Sequence, residues 1–125
     1  MKKKDIYLNY KGAWSQSYFP FKYEKQNGFQ LTVKLLKRGK FEGTCNDFYG
    51  KSKIEGKLSK NLIEFTKQYT LEGIHHGGAA GKLSYIGVRK EVIKEGNLVE
   101  LVSGLITCEF PEEMRPKNFV MERID

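Results

Sequence analysis

Two cations and two phenols have the types and spacing to bind an anionic group inside a β-protein. Lys67 and Tyr69 share the alternation of Phe65, so one face of a strand presents all three. Tyr85 and Arg89 share a face of a later strand in the same way. If both faces turn inward, the pattern predicts that Lys67 and Arg89 contact the anion of a small molecule, with Phe65 in the apolar wall. The two tyrosines would then orient that molecule.

The sequence leaves two alternatives to a ligand for these cations, namely partners within the protein and an orientation toward solvent. A buried, unpaired cation is costly, so each needs a carboxylate, a ligand or water. Asp47 and Glu100 are candidate internal partners by parity. Alternatively, the cations lie at strand ends and extend to solvent, or Ile86 and Val88 face inward and Arg89 faces outward.

The histidines form no recognisable catalytic or metal-binding arrangement. His75 and His76 are the only two, and they lie in the glycine-rich stretch 73–81 without a cysteine nearby. This stretch also lacks the Gly-Lys-Ser/Thr ending of a phosphate loop. It is typical of a mobile loop over a barrel mouth. We therefore predict no catalytic residue, metal ion or cofactor.

Alternation at a period of two residues dominates the chain and predicts strands that would position these side chains. Phe29, Leu31, Val33 and Leu35 alternate with polar residues, for example, before a turn at 38–40. The pattern predicts eight strands, at about 10–19, 29–37, 40–46, 51–58, 62–70, 82–92, 98–110 and 118–124. Because most connections are short, we expect an all-β fold, an eight-stranded antiparallel up-and-down β-barrel.

Parity along these strands predicts which side chains face the interior. The predicted inward set is apolar and comprises Phe29, Leu31, Val33, Leu35, Phe41, Ile54, Leu58, Ile63, Phe65, Val102, Ile106, Phe119 and Met121. An apolar residue, any residue and then glycine also recur within the strands, ending at Gly12, Gly43, Gly56, Gly87 and Gly104. Glycines there permit sharp coiling, because the inner wall of a small barrel lacks room for a side chain at every position.

The first and last predicted strands carry a motif of a known superfamily. Gly12-Ala13-Trp14 lies in the first strand and Arg123 near the end of the last. The chain thereby resembles the calycins, which include lipocalins, fatty-acid-binding proteins and avidins. The resemblance implies a calycin-like barrel and a structural brace in which Arg123 packs across Trp14. The Thr-Asp-Tyr motif of lipocalins and the biotin-binding pattern of avidins are absent, so the resemblance implies no particular ligand.

Length and charge indicate one small domain without a concentrated charged face. The chain has 125 residues, predicted to form a single domain over 1–125. Its formal net charge is +7, but the cations are scattered and the aromatics are predicted inside, which disfavours nucleic-acid binding. No apolar segment has the length of a signal peptide or a membrane span, so we expect a cytoplasmic location. Cys45 and Cys108 fit free thiols in a reducing compartment.

These observations favour a small-molecule binding protein over an enzyme. Its ligand would be apolar, with or without an anionic group, and would lie in the barrel lumen. The first alternative is a structural or protein-interaction barrel whose own side chains fill the lumen, and a homo-oligomer is compatible with either. An enzyme using the 73–81 loop ranks below these two, and nucleic-acid binding ranks last. A continuous cavity well above ~300 Å³ would favour the binding protein.

Overall fold

The fold is a closed antiparallel β-barrel, seen in a computed structural model that describes residues 4–15 and 27–124. The eight strands follow one another around the barrel in chain order, and the last pairs with the first. Their bounds are β1 Tyr7–Ser15, β2 Gly28–Leu35, β3 Lys40–Asp47, β4 Gly50–Leu58, β5 Leu62–Tyr69, β6 Leu83–Lys94, β7 Asn97–Cys108 and β8 Lys117–Arg123. This arrangement confirms the predicted up-and-down barrel, and residues 16–19 of the first predicted strand lie outside the described residues.

The longest hairpin of the barrel, β6–β7, is closed by a two-residue turn. Lys94 pairs with Asn97, which leaves Glu95 and Gly96 as a two-residue loop. Both loop residues have positive φ, 51° and 81°. A two-residue loop with positive φ at both positions matches the twist of the strands that it joins. This turn sets the register of β6 on β7.

The core occupies the barrel interior and matches the predicted inward set. All of that set is buried except Leu35 and Leu58, which are partly buried and pack against it. The core also includes Tyr10, Cys45 and Leu83. Parity therefore predicted the inner face correctly. A shift of one residue in a strand would have turned its core side chains to the outside.

Strand glycines allow the backbones of the barrel wall to approach closely. A Cβ atom on Gly43 would lie 2.0 Å from the carbonyl oxygen of Thr32 on β2. A Cβ atom on Gly104 would lie 1.9 Å from the carbonyl oxygen of Ile86 on β6. These distances are far shorter than a van der Waals contact, so a side chain there would force the strands apart. The five strand glycines thus occupy positions where the barrel wall has no room for a side chain, as predicted.

One segment differs from the predicted glycine-rich loop. Residues Leu71–His75 form a short helix, α1, so the predicted loop is wrong for its first three residues, 73–75. The Thr70 side chain caps this helix by accepting a hydrogen bond from the backbone N–H of Gly73 at 3.2 Å. A single turn is too short to leave a helical periodicity in the sequence. In the described part of the chain, no helix has the length and apolar character needed to cross a membrane.

Candidate functional site

A cavity opens at the end of the barrel where α1 connects β5 to β6, here called the helical end. Its volume is about 330 Å³. Aromatic and aliphatic side chains form most of the wall, together with two lysines, one glutamate and the loop that follows α1. The lining residues are Trp14, Tyr49, Lys67, Tyr69, Gly77, Gly78, Ala79, Leu83, Tyr85, Ile106, Glu113, Met114 and Lys117.

A buried ion pair lies in the wall of this cavity. Lys67 Nζ is 2.5 Å from Asp47 Oδ2, and the two side chains are only 1% and 0% exposed. The Tyr69 hydroxyl donates to the same carboxylate oxygen at 2.5 Å. The backbone N–H of Tyr49 donates to Asp47 Oδ1 at 2.9 Å, which fixes the carboxylate within the β3–β4 turn. Asp47, one of the two carboxylates that parity indicated as internal partners, therefore pairs with Lys67.

Aromatic faces surround the Lys67 ammonium. It lies 4.4 Å from the ring centroid of Tyr69, 5.3 Å from that of Trp14 and 5.8 Å from that of Tyr85. Burial alone would lower the pKa of Lys67, but Tyr85, Cys45, Tyr69 and Asp47 together hold it well above its usual value. Of these neighbours, Asp47 supplies the negative charge at neutral pH. The ion pair with Asp47 and the raised pKa both favour the protonated form of Lys67, which is not a nucleophile.

The phenols and the thiol around Lys67 stay protonated at neutral pH. Burial raises the pKa of Tyr85 to about 12, although the charge of Lys67 opposes this effect. Burial also raises the pKa of Tyr69 and that of the Cys45 thiol. The site therefore offers neutral phenol groups beside the Lys67 cation, and its buried cysteine is unreactive.

Packed aromatic rings form the floor of the cavity. Tyr85 stacks on Phe65 with ring centroids 4.5 Å apart and an interplanar angle of 16°. Phe41 and Phe119 pack edgewise or tilted against this pair, at 6.0 Å from Phe65 and 5.2 Å from Tyr85. Phe65 thus supports the floor from below and is absent from the lining. The cavity at the helical end lies above these packed rings.

Arg89 belongs to a separate network near the opposite end of the barrel. Its guanidinium donates to Glu100 Oε1 at 2.6 Å, and the Tyr10 hydroxyl donates to Glu100 Oε2 at 2.5 Å. Arg89 also donates to the backbone carbonyl of Ser59. Glu100, the other carboxylate that parity indicated, therefore pairs with Arg89.

The distance along β6 separates the two predicted cation sites. Lys67 pairs with Leu83, six residues before Arg89 on that strand. Six residues of extended chain span about 20 Å, so one small anion cannot contact both cations. The structure brings Lys67, Tyr69 and Tyr85 together and excludes Arg89 from their site. Alternation identifies the face of a residue, but it gives no position along the barrel axis.

Trp14 and Arg123 are also apart, so the predicted brace does not form. Trp14 pairs with Phe119 across β1 and β8, whereas Arg123 pairs with Tyr10. Four residues of strand, about 13 Å, thus separate the two positions. Trp14 instead stacks on Phe29 with centroids 5.8 Å apart, and its cation neighbours are Lys67 and Lys117. The motif correctly indicated that the first and last strands pair, but it did not indicate the register between them.

The connection between β7 and β8 supplies residues that the sequence did not reveal. Glu113, Met114 and Lys117 line the cavity. The Glu113 carboxylate accepts hydrogen bonds from the backbone N–H groups of Ala80 at 2.9 Å and Gly81 at 3.4 Å. This contact ties the connection to the loop after α1. Pro111 and Pro116 marked an irregular segment, but nothing in the sequence indicated where it folds.

The histidines have no part in the cavity. His75 and His76 are exposed in and directly after α1, and neither lines the cavity. Within residues 4–15 and 27–124, no three His, Cys, Asp or Glu side chains cluster as a metal site would require.

No protein-family model, curated protein or solved structure matches this chain. The observed barrel, with eight antiparallel strands in up-and-down order, is consistent with a calycin-like architecture.

Proposed function

We propose that this protein binds a small, largely apolar molecule in the cavity at the helical end. The observation that carries this proposal is the aromatic wall that Trp14, Tyr49, Tyr69 and Tyr85 form around a cavity of about 330 Å³, a volume at the lower end of the range for small-molecule sites. Small-molecule sites are typically concave, mainly apolar and supplied with a few fixed polar groups. This cavity combines those properties with a rigid barrel beneath it.

The buried ion pair supports a binding site rather than a purely structural one. Pairing two buried charges is often no more stable than apolar packing of similar volume, so stability alone is a weak reason to have it. Lys67 has three N–H donors, of which one meets Asp47 at 2.5 Å and another meets the Tyr85 hydroxyl at a long 3.4 Å. Lys67 can thus direct a further donor toward an acceptor in the cavity.

Native mass spectrometry of freshly purified protein tests the proposal. We expect a population heavier than the bare chain by the mass of one small molecule, which dissociates on collisional activation. Binding would also be visible in fluorescence, because Trp14 is the only tryptophan and lines the cavity. A bare chain, together with unchanged Trp14 emission across a library of aromatic and aliphatic compounds, would refute the proposal.

The outer wall supports a second candidate, a protein-interaction barrel. Ile86, Val88 and Leu105 are 56%, 43% and 44% exposed on β6 and β7. They line an outer groove of about 630 Å³ that continues onto β8. Contiguous exposed apolar surface is a common feature of interaction sites. The same native spectra separate this candidate from the first, because a homo-oligomer changes the mass by whole chains.

A further inference from the structure

Among the residues that the structure describes, one of the two lysines that line the cavity pairs with a carboxylate and the other does not. Lys67 forms its ion pair with Asp47 inside the wall. Lys117 begins β8 at the mouth and lines the same cavity. Of the residues that the structure describes, none places a carboxylate within ion-pair distance of Lys117.

The glutamate that lines the same cavity is already engaged. Glu113 also lines the cavity, but its Oε2 atom accepts from the backbone N–H groups of Ala80 and Gly81. The cavity therefore presents the Lys117 ammonium without a compensating anion in the described part of the chain. Half-burial and the charge of Lys67 both lower the pKa of Lys117, as expected for a cation that has no partner.

An aromatic surface lies next to this ammonium. Lys117 Nζ is 6.0 Å from the ring centroid of Trp14, whose ring stacks on Phe29. A flat apolar ligand that lies along Trp14 would thus carry its substituent toward Lys117. A carboxylate at that position would supply the missing negative charge and a charge-assisted hydrogen bond.

We propose that the ligand is an aromatic carboxylate whose anionic group pairs with Lys117 while its ring packs against Trp14. This inference rests on the proposed function and names its ligand class. It assigns the anion to Lys117 rather than to Lys67, because Asp47 already neutralises Lys67.

Calorimetric titration with naphthoate and with its uncharged amide, naphthamide, tests the assignment. In the unmodified protein we expect naphthoate to bind more tightly than naphthamide. Lys117→Gln should weaken naphthoate binding about tenfold or more, as for loss of a hydrogen bond to a charged group, and should leave naphthamide nearly unchanged. Lys117→Arg should keep the preference for naphthoate. Lys53→Gln, an exposed lysine on the outer face of β4, is the matched control and should change neither affinity.

The outcomes distinguish an error in the assignment to Lys117 from a failure of the proposed ligand binding. If naphthamide binds as tightly as naphthoate, or if Lys117→Gln weakens both equally, the cavity binds ligands but the assignment to Lys117 is wrong. If Lys67→Met abolishes the preference in a folded protein and Lys117→Gln does not, Lys67 is the anion site instead. If neither probe binds and native spectra contain only the bare chain, both the function and the inference fail.

Discussion

At the scale of single residues, Lys67 is a cation that the protein itself neutralises. Asp47 holds it at 2.5 Å, and Tyr69 shares the same carboxylate oxygen. Removing one partner of such a pair leaves an uncompensated charge in the interior, which is far more costly than removing both. The pair is thus compatible with a stable fold only while both partners are present.

Asp47→Asn should destabilise the fold strongly for this reason. We expect a loss of about 3–5 kcal/mol in the free energy of unfolding, measured by chemical denaturation. The double variant Asp47→Leu with Lys67→Met should recover most of that loss, because neither charge remains. An Asp47→Asn protein as stable as the original would mean that the Lys67 charge is hydrated and that the pair is unimportant.

Stability should fall at alkaline pH because several protons are held more tightly in the folded chain. The pKa values of Lys67, Tyr69 and Tyr85 all lie above their ordinary values of 10.5 for lysine and 10.0 for tyrosine. Groups with raised pKa values contribute fully at pH values below the unfolded pKa, and the contribution is lost as pH rises through the folded pKa. We therefore expect the free energy of unfolding to decline from about pH 10 upward.

Tyrosinate absorbance provides the control for this pH dependence. The protein has seven tyrosines, and Tyr69, Tyr85 and Tyr10 have raised pKa values. These phenols should ionise late, together with unfolding, and Tyr85→Phe should reduce the late absorbance change. Ionisation of all seven in one early step, with the fold intact, would contradict the buried phenol network.

The sequence correctly predicted the features that depend only on which face of a strand a residue occupies. It placed Lys67, Tyr69 and Tyr85 on the inner face and selected Asp47 and Glu100 as internal partners. It did not identify Lys117, because that residue begins a strand after an irregular connection whose path no periodicity describes.

At the scale of elements, the strand glycines determine how tightly the wall can coil. Gly104→Ala should destabilise the barrel by about 1–3 kcal/mol or more, because its Cβ would meet the carbonyl oxygen of Ile86. Thermal unfolding would measure this loss. Ser103→Ala, on the adjacent exposed outer position, is the control and should have little effect. Equal effects of both substitutions would remove the argument that close strand approach requires glycine.

Element positions were predictable, but the offsets between elements were not. Alternation and turn residues place most of the strand ends within about two residues of those observed. The pairing of Arg123 with Tyr10 instead of with the Trp14 position depends on register, which turns and packing set between strands. Helix α1 was not predicted, because the single turn that Thr70 caps is too short to leave a helical periodicity in the sequence.

At the scale of the whole molecule, the closed sheet encloses packed aromatic side chains and leaves a cavity at its helical end. Phe65, Tyr85 and Phe119 pack across the interior, and the cavity lies above them at the helical end. The sequence predicted large inward side chains, but whether they leave free space depends on ring packing and on how the loop after α1 covers the barrel end. Only the structure supplies that arrangement.

Two neighbouring alanines allow the central claim, a ligand in the mouth cavity, to be tested directly. Ala79 lines the cavity, whereas Ala80 beside it is exposed and does not. The measurement is calorimetric titration of naphthoate into Ala79→Phe and Ala80→Phe, with thermal unfolding confirming that both fold. We predict that the added ring at Ala79 abolishes binding and that the same ring at Ala80 leaves it intact. Undiminished binding to the Ala79→Phe protein would show that the ligand site lies elsewhere.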